Sequence, residues 1–325
     1  MAGSVTYRED PCRSALNRVT GMRFDWSLNP YMGCAHRCTF CYVRAFERRA
    51  DRPSDDRYGT SVRVKVNVVE VLRAEVSRRT WRHGSVAIGA ATDPYQPAEG
   101  RYRLTRGCIE VLGAAANPFD LITRGPLVVR DADVLAAASA RARVSVTFSI
   151  PTLDADVWRH TEVATAPPRQ RLRAMERLAA AGIRVGVGLA PLLPGLSDDP
   201  AGMAAVVRAA RDAGASHAWC RVLDLRPGTR EHFLEHLARD WPEQVARYER
   251  LYRGRAYLPA AAQEPPRRAL RAALVRTPLA PPRVIQPRPP EPEPVLWAVP
   301  DQLELDLSPA VVAPRTPGSL PIRSR

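Results

Sequence analysis

The sequence predicts an α/β protein built as a partial (β/α)6 barrel, and three observations support this prediction. Short apolar segments typical of buried strands alternate with helix-length segments through residues 21–255. The helical segments carry start and stop signals, such as Pro200 at the beginning of one and Gly182 after another. Five or six such units are too few for a complete eight-fold barrel. A doubly wound open sheet is the alternative, but no G-x-G-x-x-G motif follows a first strand to favour it.

Each predicted element follows from its own local pattern, and the regular alternation predicts a parallel sheet covered by helices. The predicted strands are apolar runs at 86–90, 120–123, 144–150, 185–190 and 218–223. The predicted helices lie at 104–116, 133–141, 169–181, 199–213 and 230–252, and the last is interrupted near Trp241-Pro242.

The composition changes sharply near residue 256. Residues 256–325 contain 16 of the chain's 31 prolines. Proline fixes φ and removes a backbone donor, so this region is predicted to be disordered or extended. The sequence therefore divides into an N-terminal extension (1–20), a partial barrel (21–255) and a Pro/Arg-rich tail (256–325).

The net charge is +14, of which +11 belongs to residues 1–255 and +3 to the tail. Lys65 is the only lysine, which fits a GC-rich coding sequence. Such a bias explains arginine in place of lysine but not the excess of basic over acidic residues. The charge therefore predicts a polyanionic partner, with nucleic acid first. The sequence has neither an apolar run of membrane-spanning length nor an N-terminal signal pattern, so we expect no membrane partner and a cytoplasmic protein.

Three of the six cysteines, Cys34, Cys38 and Cys41, form a compact C-x3-C-x2-C motif. Thiolates bind soft metals and iron–sulfur clusters, and three on one loop can hold three irons of a cubane. The fourth iron is then free to bind a small molecule through an amine and a carboxylate. A structural zinc with His36 as fourth ligand is the first alternative, although such sites normally use two separated half-sites. Chance clustering in the core is the second.

The residues around this motif resemble those of the radical S-adenosylmethionine superfamily, and within it the spore photoproduct lyase-like (DNA repair photolyase-like) family. The resemblance spans roughly residues 20–255, which is more specific than any single motif. It rests on segments in the same order, namely NPYMGCAHRCTFCYVRAFE (29–47), AATDPYQP (90–97), ITRGPLVVRD (122–131), FSI (148–150) and GVGLAPLLPGL (186–196).

The resemblance implies a barrel of the radical SAM type that holds a [4Fe–4S] cluster and S-adenosylmethionine at its strand ends. In such enzymes the reduced cluster cleaves S-adenosylmethionine to methionine and a 5′-deoxyadenosyl radical, which abstracts a hydrogen from the substrate. The resemblance also implies roles for residues that would contact the cofactor: Phe40 and Tyr42 beside the adenine, Thr92 and Asp93 near the methionine amino end or ribose, Ser149 on the ribose or carboxylate, and Arg159 on the carboxylate.

Spore photoproduct lyase reverses a thymine dimer in DNA, and this sequence departs from its pattern. The lyase uses a cysteine near the second strand as hydrogen donor, where this chain has Ala90 or Ala91. It also has a tyrosine before the last cluster cysteine, where this chain has Phe40. Tyr42 and Cys220 remain as candidate catalytic residues. The departures argue against that particular lyase activity, and fold similarity alone names no substrate.

The tail contains a second functional signal. Gln302–Leu307 resembles the short peptide by which bacterial repair and replication proteins bind the DNA sliding clamp. We therefore expect DNA, the clamp and an electron donor such as a flavodoxin or ferredoxin as partners. Three functions stay open: a radical enzyme acting on nucleic acid or a damaged base, one that modifies a protein or small metabolite, and a non-catalytic iron–sulfur sensor that binds nucleic acid.

Overall fold

The computed structural model describes residues 5–279, and a seven-stranded sheet forms its centre. The strands are β1 (Thr6–Asp10), β2 (Leu16–Arg18), β3 (Trp26–Leu28), β4 (Tyr31–Met32), β5 (Ser61–Lys65), β6 (Val86–Ile88), β7 (Phe119–Thr123), β8 (Val144–Ser149), β9 (Val185–Leu192) and β10 (His217–Val222). The α-helices are α1 (Arg44–Arg49), α2 (Val68–Val76), α3 (Ala98–Tyr102), α4 (Leu104–Ala114), α5 (Ala132–Ser139), α6 (Ala155–Thr161), α7 (Pro168–Ala180), α8 (Pro200–Asp212), α9 (Thr229–Asp240), α10 (Val245–Leu251) and α11 (Ala260–Arg276). Short 3-10 helices cover Pro126–Asp131 and Pro242–Gln244.

The sheet order is β10-β9-β8-β7-β6-β3-β2, and β3 with β6 to β10 are parallel. These six strands, joined by helical connections, form the predicted partial (β/α)6 barrel. The antiparallel β2 borders β3 at one edge. A separate three-stranded sheet has the order β1-β5-β4. Its strand β4 follows the first barrel strand, β3, along the chain and leads directly into the cysteine motif.

The two faces of the barrel sheet differ in chemistry. On β8, Val146 and Phe148 belong to the apolar core shared with the covering helices, whereas Thr147 lies on the other face and contacts His217 of β10 at 3.0 Å. Glycines of β9 make room on that inner face. A Cβ on Gly186 would lie 2.3 Å from the His217 ring, and one on Gly188 would lie 2.9 Å from the ring of Trp219. The inner face is therefore polar and partly filled by rings from β10.

Two of the predicted domain boundaries need correction. Within the predicted N-terminal extension 1–20, residues 6–10 and 16–18 belong to the two sheets, because β1 pairs with β5 and β2 pairs with β3. The predicted disordered tail begins too early, because residues 260–276 form α11, which carries Leu270 into the apolar core beside α8. Pro265 and Pro266 occur inside this helix, so tertiary packing outweighs their low helix propensity. None of the described helices combines the length and apolarity needed to cross a bilayer.

Candidate functional site

The cysteine motif occupies a loop of residues 33–42, which we call the cluster loop, between β4 and α1. Short turns bring the thiols to one side: Arg37 N–H donates to the Cys34 carbonyl at 3.3 Å, and Cys41 N–H donates to the Cys38 carbonyl at 3.2 Å. Cys34 and Cys38 are buried, and Cys41 is half-buried. The loop therefore presents three sheltered sulfurs at the carboxyl ends of the barrel strands, where (β/α) barrels place their chemistry.

Polar contacts from distant segments fix the cluster loop. The Gln96 side chain, which follows β6, donates to the Gly33 carbonyl at 3.1 Å and accepts from Ala35 N–H at 2.9 Å. Thr39 N–H donates to the Thr161 carbonyl at 2.9 Å. Gly59 has φ +81°, and a Cβ there would lie 2.3 Å from the Cys34 carbonyl oxygen. This contact requires glycine, because a side chain would displace the first cysteine.

The three thiols fit a [4Fe–4S] cluster better than a single ion. Within residues 5–279, the one group of three potential ligands whose donor atoms all lie within 4.8 Å of one another contains no cysteine. At least two of the three cysteine sulfurs therefore lie more than 4.8 Å apart, which suits thiols that bind different irons of a cubane better than ligands of one small ion. The other three cysteines, Cys12, Cys108 and Cys220, pack against the main apolar core instead.

His36, the fourth ligand considered for a structural zinc, is paired with a carboxylate. Its Nδ1 lies 3.3 Å from Oδ2 of Asp93, close enough for an ion pair but poorly aligned for a hydrogen bond. Burial lowers the pKa of His36, but Asp93 and Cys34 outweigh that effect and raise it to about 10. His36 is also absent from the one group of three potential ligands in residues 5–279 whose donor atoms lie within 4.8 Å of one another, so the geometry favours its ion pair with Asp93 over a role as a zinc ligand.

The Asp93 carboxylate is held by four groups. It accepts from the Thr123 hydroxyl at 2.6 Å, from Arg124 N–H at 2.6 Å and from Tyr95 N–H at 2.9 Å, in addition to the His36 contact. Although burial opposes it, these partners lower the pKa of Asp93 to about 2. Asp93 is therefore a fixed anion that joins the cluster loop to the ends of β6 and β7.

Arg124 lies beside the cluster loop, although sequence analysis assigned it no role beyond its place in the segment ITRGPLVVRD (122–131). Its guanidinium carbon lies 5.5 Å from the Phe40 ring centre, and its side chain donates to the Ala190 carbonyl at 2.9 Å. Its Nε is 3.4 Å from Glu162 Oε2 and donates no hydrogen bond. Glu162 in turn pairs with the fully buried Arg171. The sequence did not reveal this buried network, because arginines are abundant along the whole chain and composition alone does not distinguish buried ones from exposed ones.

Burial favours the protonated form of two of the cluster-loop thiols, Cys38 and Cys41. Burial raises the pKa of Cys38, against the opposing charge of Arg124. Burial also raises the pKa of Cys41, although a contact of 3.5 Å between its Sγ and the Tyr58 hydroxyl opposes the rise. Because metal-bound cysteines are thiolates, cluster assembly must release these protons. Arg124 and Tyr58 are the groups best placed to compensate the resulting negative charge.

The residues predicted to contact S-adenosylmethionine lie in the cluster loop or at the ends of nearby barrel strands, apart from one. Phe40 is buried under Arg124, and the Thr92 hydroxyl donates to the Tyr31 carbonyl at 3.1 Å. Ser149 is buried at the end of β8, where its carbonyl accepts from Arg171 at 2.7 Å. Tyr42 donates its hydroxyl hydrogen to the Ala90 carbonyl and packs edge-on against Phe46. Their cofactor contacts stay predictions.

Arg159 and Cys220 lie away from these residues. Arg159 is exposed on α6, and its predicted contact with the cofactor carboxylate stays untested. Cys220 lies on the helix-covered side of β10, where burial raises its pKa against the opposing charges of two arginines of α11. The neighbouring Trp219 faces the barrel interior. Cys220 therefore faces the covering helices and not the barrel interior, because adjacent strand residues point to opposite faces, and its candidate catalytic role stays a prediction. The predicted clamp peptide, Gln302–Leu307, is outside the described residues.

A sequence profile of the radical SAM superfamily matches residues 28–207, more than half of the chain. The chain belongs to the radical SAM superfamily. Members of this superfamily use a [4Fe–4S] cluster and S-adenosylmethionine, and the three-thiol loop fits the cluster by its donor set and spacing. The fold class and the cofactors predicted from the sequence are thus confirmed.

Similar proteins support the same assignment. An uncharacterized protein of Mycobacterium tuberculosis is 38% identical over 298 residues, which cover 91% of this chain and 87% of that protein. An uncharacterized protein of Methanocaldococcus jannaschii is 24% identical over 171 residues, or 53% of this chain and 61% of that one. A spore photoproduct lyase mutant, solved with bound AdoMet and dinucleoside spore photoproduct, has a TM-score of 0.64 at 16% identity over 83% of this chain and 79% of its own. The last similarity concerns the fold.

Proposed function

We propose that this radical SAM protein is an enzyme that cleaves S-adenosylmethionine reductively and acts on nucleic acid, with a damaged base as the first candidate substrate. When bound, the cluster and S-adenosylmethionine supply an electron and a carbon radical able to abstract hydrogen. The chain's own part is to hold the thiols, to keep Asp93 and Arg124 fixed beside them, and to recognise the substrate at the mouth of the barrel.

The single observation that carries the nucleic-acid proposal is an aromatic–arginine rim, which we define as Tyr42, Phe46, Tyr257, Arg221 and Arg226. The three aromatic residues are 38%, 36% and 42% exposed, respectively, which is unusual for such large side chains. Burial of its hydroxyl end raises the pKa of Tyr42, and the nearby charges of Arg221 and Arg226 oppose that rise. The Arg226 guanidinium lies 5.2 Å from the Tyr257 ring centre.

The chemistry of this rim suits unpaired nucleotides. Exposed aromatic rings and guanidinium planes stack on bases of any sequence, and arginines bind the phosphates between them. An enzyme acting on one base must bring that base out of the stack, so a rim of this kind beside the reactive centre is what the reaction needs. The basic balance of residues 1–255, +11, supplies long-range attraction for the polyanion.

The test is anaerobic turnover by the cluster-loaded protein with dithionite and S-adenosylmethionine. We expect 5′-deoxyadenosine formation that increases when ultraviolet-irradiated single-stranded DNA is added. A double variant, Arg221→Ser with Arg226→Ser, should weaken DNA binding and lower the salt slope by roughly 0.7 for each arginine–phosphate pair that is removed, the value for single strands. The matched control is Arg78→Ser with Arg79→Ser, two exposed arginines in the link that leads into β6.

Three outcomes would contradict this proposal. Equal loss of DNA binding in both double variants would mean that charge acts in bulk and that the rim has no special role. Turnover of S-adenosylmethionine without any response to DNA would favour modification of a protein or small metabolite. Binding of DNA without cleavage of S-adenosylmethionine would favour a sensor. A reductant such as a flavodoxin or ferredoxin and a sliding clamp bound through Gln302–Leu307 remain proposed partners of the same function.

A further inference from the structure

Apart from the cysteines, the chain contains a second set of metal-binding side chains: Asp56, His232 and His236. The histidines are one helical turn apart on α9, so both rings lie on one face of that helix, with ring centres 4.3 Å apart. Asp56 belongs to the loop between α1 and β5. The donor atoms of all three residues lie within 4.8 Å of one another. We propose that this Asp–His–His group is a Zn²⁺ site.

The distances leave room for an ion. Asp56 Oδ1 lies 3.7 Å from His236 Nε2 and 3.9 Å from His232 Nδ1, too far for hydrogen bonds. Zinc bonds of about 2.0–2.1 Å in a tetrahedral arrangement place neighbouring ligand atoms about 3.3 Å apart. The exposed Asp56 side chain has therefore to move by roughly half an ångström towards the two histidine nitrogens, which themselves lie within 4.8 Å of each other, to reach bonding distance of a shared ion.

The orientation of one histidine is already fixed for this purpose. Nδ1 of His236 lies 2.9 Å from the carbonyl oxygen of His232. A carbonyl only accepts, so Nδ1 carries the hydrogen and the lone pair is on Nε2, the nitrogen that faces Asp56. Metal-binding histidines are commonly held by such a hydrogen bond to a backbone carbonyl. His232 is buried and His236 nearly so, whereas Asp56 is open to solvent. The site can thus admit an ion and a water as fourth ligand.

The donor set selects the class of metal. Two imidazoles and one carboxylate suit divalent transition metals such as Zn²⁺ and Fe²⁺, whereas Mg²⁺ and Ca²⁺ prefer sites made of oxygen atoms. The absence of sulfur from the group also separates it from the cluster cysteines in chemistry.

The segments that supply the three ligands both contact Cys41. Thr229, at the beginning of α9, donates its hydroxyl hydrogen to the Cys41 carbonyl at 3.1 Å. Tyr58, two residues after Asp56, lies 3.5 Å from the Cys41 sulfur. The buried Arg44 fixes the same loop by donating to the Asp55 carbonyl at 2.6 Å and to the Ser54 carbonyl at 2.9 Å. A zinc ion that joins the loop to α9 therefore acts as a positioning element for the third cluster ligand.

The experiment uses full-length protein carrying its iron–sulfur cluster, supplied with Zn²⁺ and then dialysed. Elemental analysis should find about one zinc per chain besides the iron, and X-ray absorption at the zinc edge should show nitrogen and oxygen ligands at about 2.0 Å without sulfur at about 2.3 Å. His236→Gln and Asp56→Asn should weaken zinc binding by on the order of 100-fold or more, because each removes a direct ligand.

His160→Gln is the matched control. His160 also lies one turn after an aspartate on a helix, with its Nδ1 3.6 Å from Asp156 Oδ1. Among the described residues, however, it belongs to no group of three potential metal ligands. The control should retain zinc, and all variants should melt cooperatively, which separates ligand loss from unfolding. Zinc bound through sulfur, or zinc retained by both His236→Gln and Asp56→Asn, would overturn the site.

The positioning role has its own readout. Under a fixed concentration of an iron chelator, His236→Gln should lose its iron several-fold faster than the wild-type protein, and His160→Gln should match the wild type. Equal rates of iron loss in a variant shown to lack zinc would refute the role while leaving the site intact. Neither measurement depends on S-adenosylmethionine or DNA, so its failure is distinguishable from failure of the proposed function.

Discussion

The two ends of the six parallel strands are built from similar residues but differ in what those residues do. At the carboxyl ends lie the cluster loop, the fixed anion Asp93 and the buried arginines around Glu162. At the amino ends, buried polar groups join neighbouring links: Asn117, for example, accepts from the Trp81 indole at 2.9 Å and donates to the Gly84 carbonyl. The buried polar groups at the carboxyl ends therefore hold the cluster loop, whereas those at the amino ends stabilise the connections between elements.

The largest expected difference concerns the cysteines. Cys38→Ala should abolish cluster assembly and reduce cleavage of S-adenosylmethionine to background, because two thiols cannot retain the cubane in place of three. Cys108→Ala, in the apolar core, should keep the iron content and lower the free energy of unfolding by about 1 kcal/mol. Iron analysis and chemical denaturation measure the two effects. Full cluster content in Cys38→Ala would contradict the assignment of the ligands.

The next effect concerns ion pairs. Arg171→Met leaves the Glu162 carboxylate buried without its closest partner, and should lower the free energy of unfolding by about 3–5 kcal/mol. Arg211→Met removes an exposed pair with Asp212 and should cost about 0–1 kcal/mol. Denaturant melts of both variants check the prediction. Equal costs would mean that water reaches Glu162.

A smaller effect comes from His217, at the amino end of β10. Burial and the charge of Arg184 lower its pKa to about 4, despite the attraction of Asp120, and Arg143 also opposes protonation. The unfolded chain therefore binds a proton below pH 6.5 that the folded chain refuses, so stability falls as the pH drops from 6.5 towards 4. Between pH 7 and 5 this one group should account for about 2 kcal/mol.

The measurement is the pH dependence of the free energy of unfolding in wild type and in His217→Asn. The variant should lose this part of the acid sensitivity. An unchanged slope between pH 7 and 5 would show that His217 titrates normally and that the inner face is wetter than its contacts indicate.

The smallest effect concerns the rim. Tyr257→Ala should weaken binding of single-stranded DNA by about 1 kcal/mol, roughly fivefold, because one stacked base loses its ring partner. Tyr102→Ala is the control: Tyr102 also has an arginine over its ring, at 4.9 Å, but it packs edge-on against Tyr7 of the small sheet. Fluorescence anisotropy distinguishes the two. Equal weakening would remove the rim from the DNA-binding surface.

Local patterns predicted most of the barrel from the sequence. The apolar runs gave five of its six parallel strands, and the Pro–Gly signals gave α7 and α8 to within one residue at each end. The first barrel strand, β3, and its neighbour β2 were missed because their residues, WSL and LNR, mix polar and apolar side chains, whereas the equally short β6 is the apolar run VAI. The helix at 260–276 was missed because its two prolines argue against a helix locally, whereas the packing that stabilises it involves distant residues.

The site was only partly predictable for a different reason. Closely spaced cysteines are visible in the sequence itself, so the cluster ligands could be named directly. Arg124 and Glu162 are 38 positions apart and adopt their roles only when β7 and the link after α6 meet. The histidines of α9 and Asp56 are separated by more than 170 residues, so no local spacing could join them. Long-range pairings of this kind require the fold.

Gly59 has a consequence for design. Because its missing side chain leaves the space that the Cys34 carbonyl occupies, at 2.3 Å from where a Cβ would be, the path of the backbone at the first cysteine depends on a residue outside the cysteine motif. A single methyl group added there would shift the first ligand without changing any donor atom. The geometry of the cluster loop is thus open to adjustment from a position that contributes no ligand.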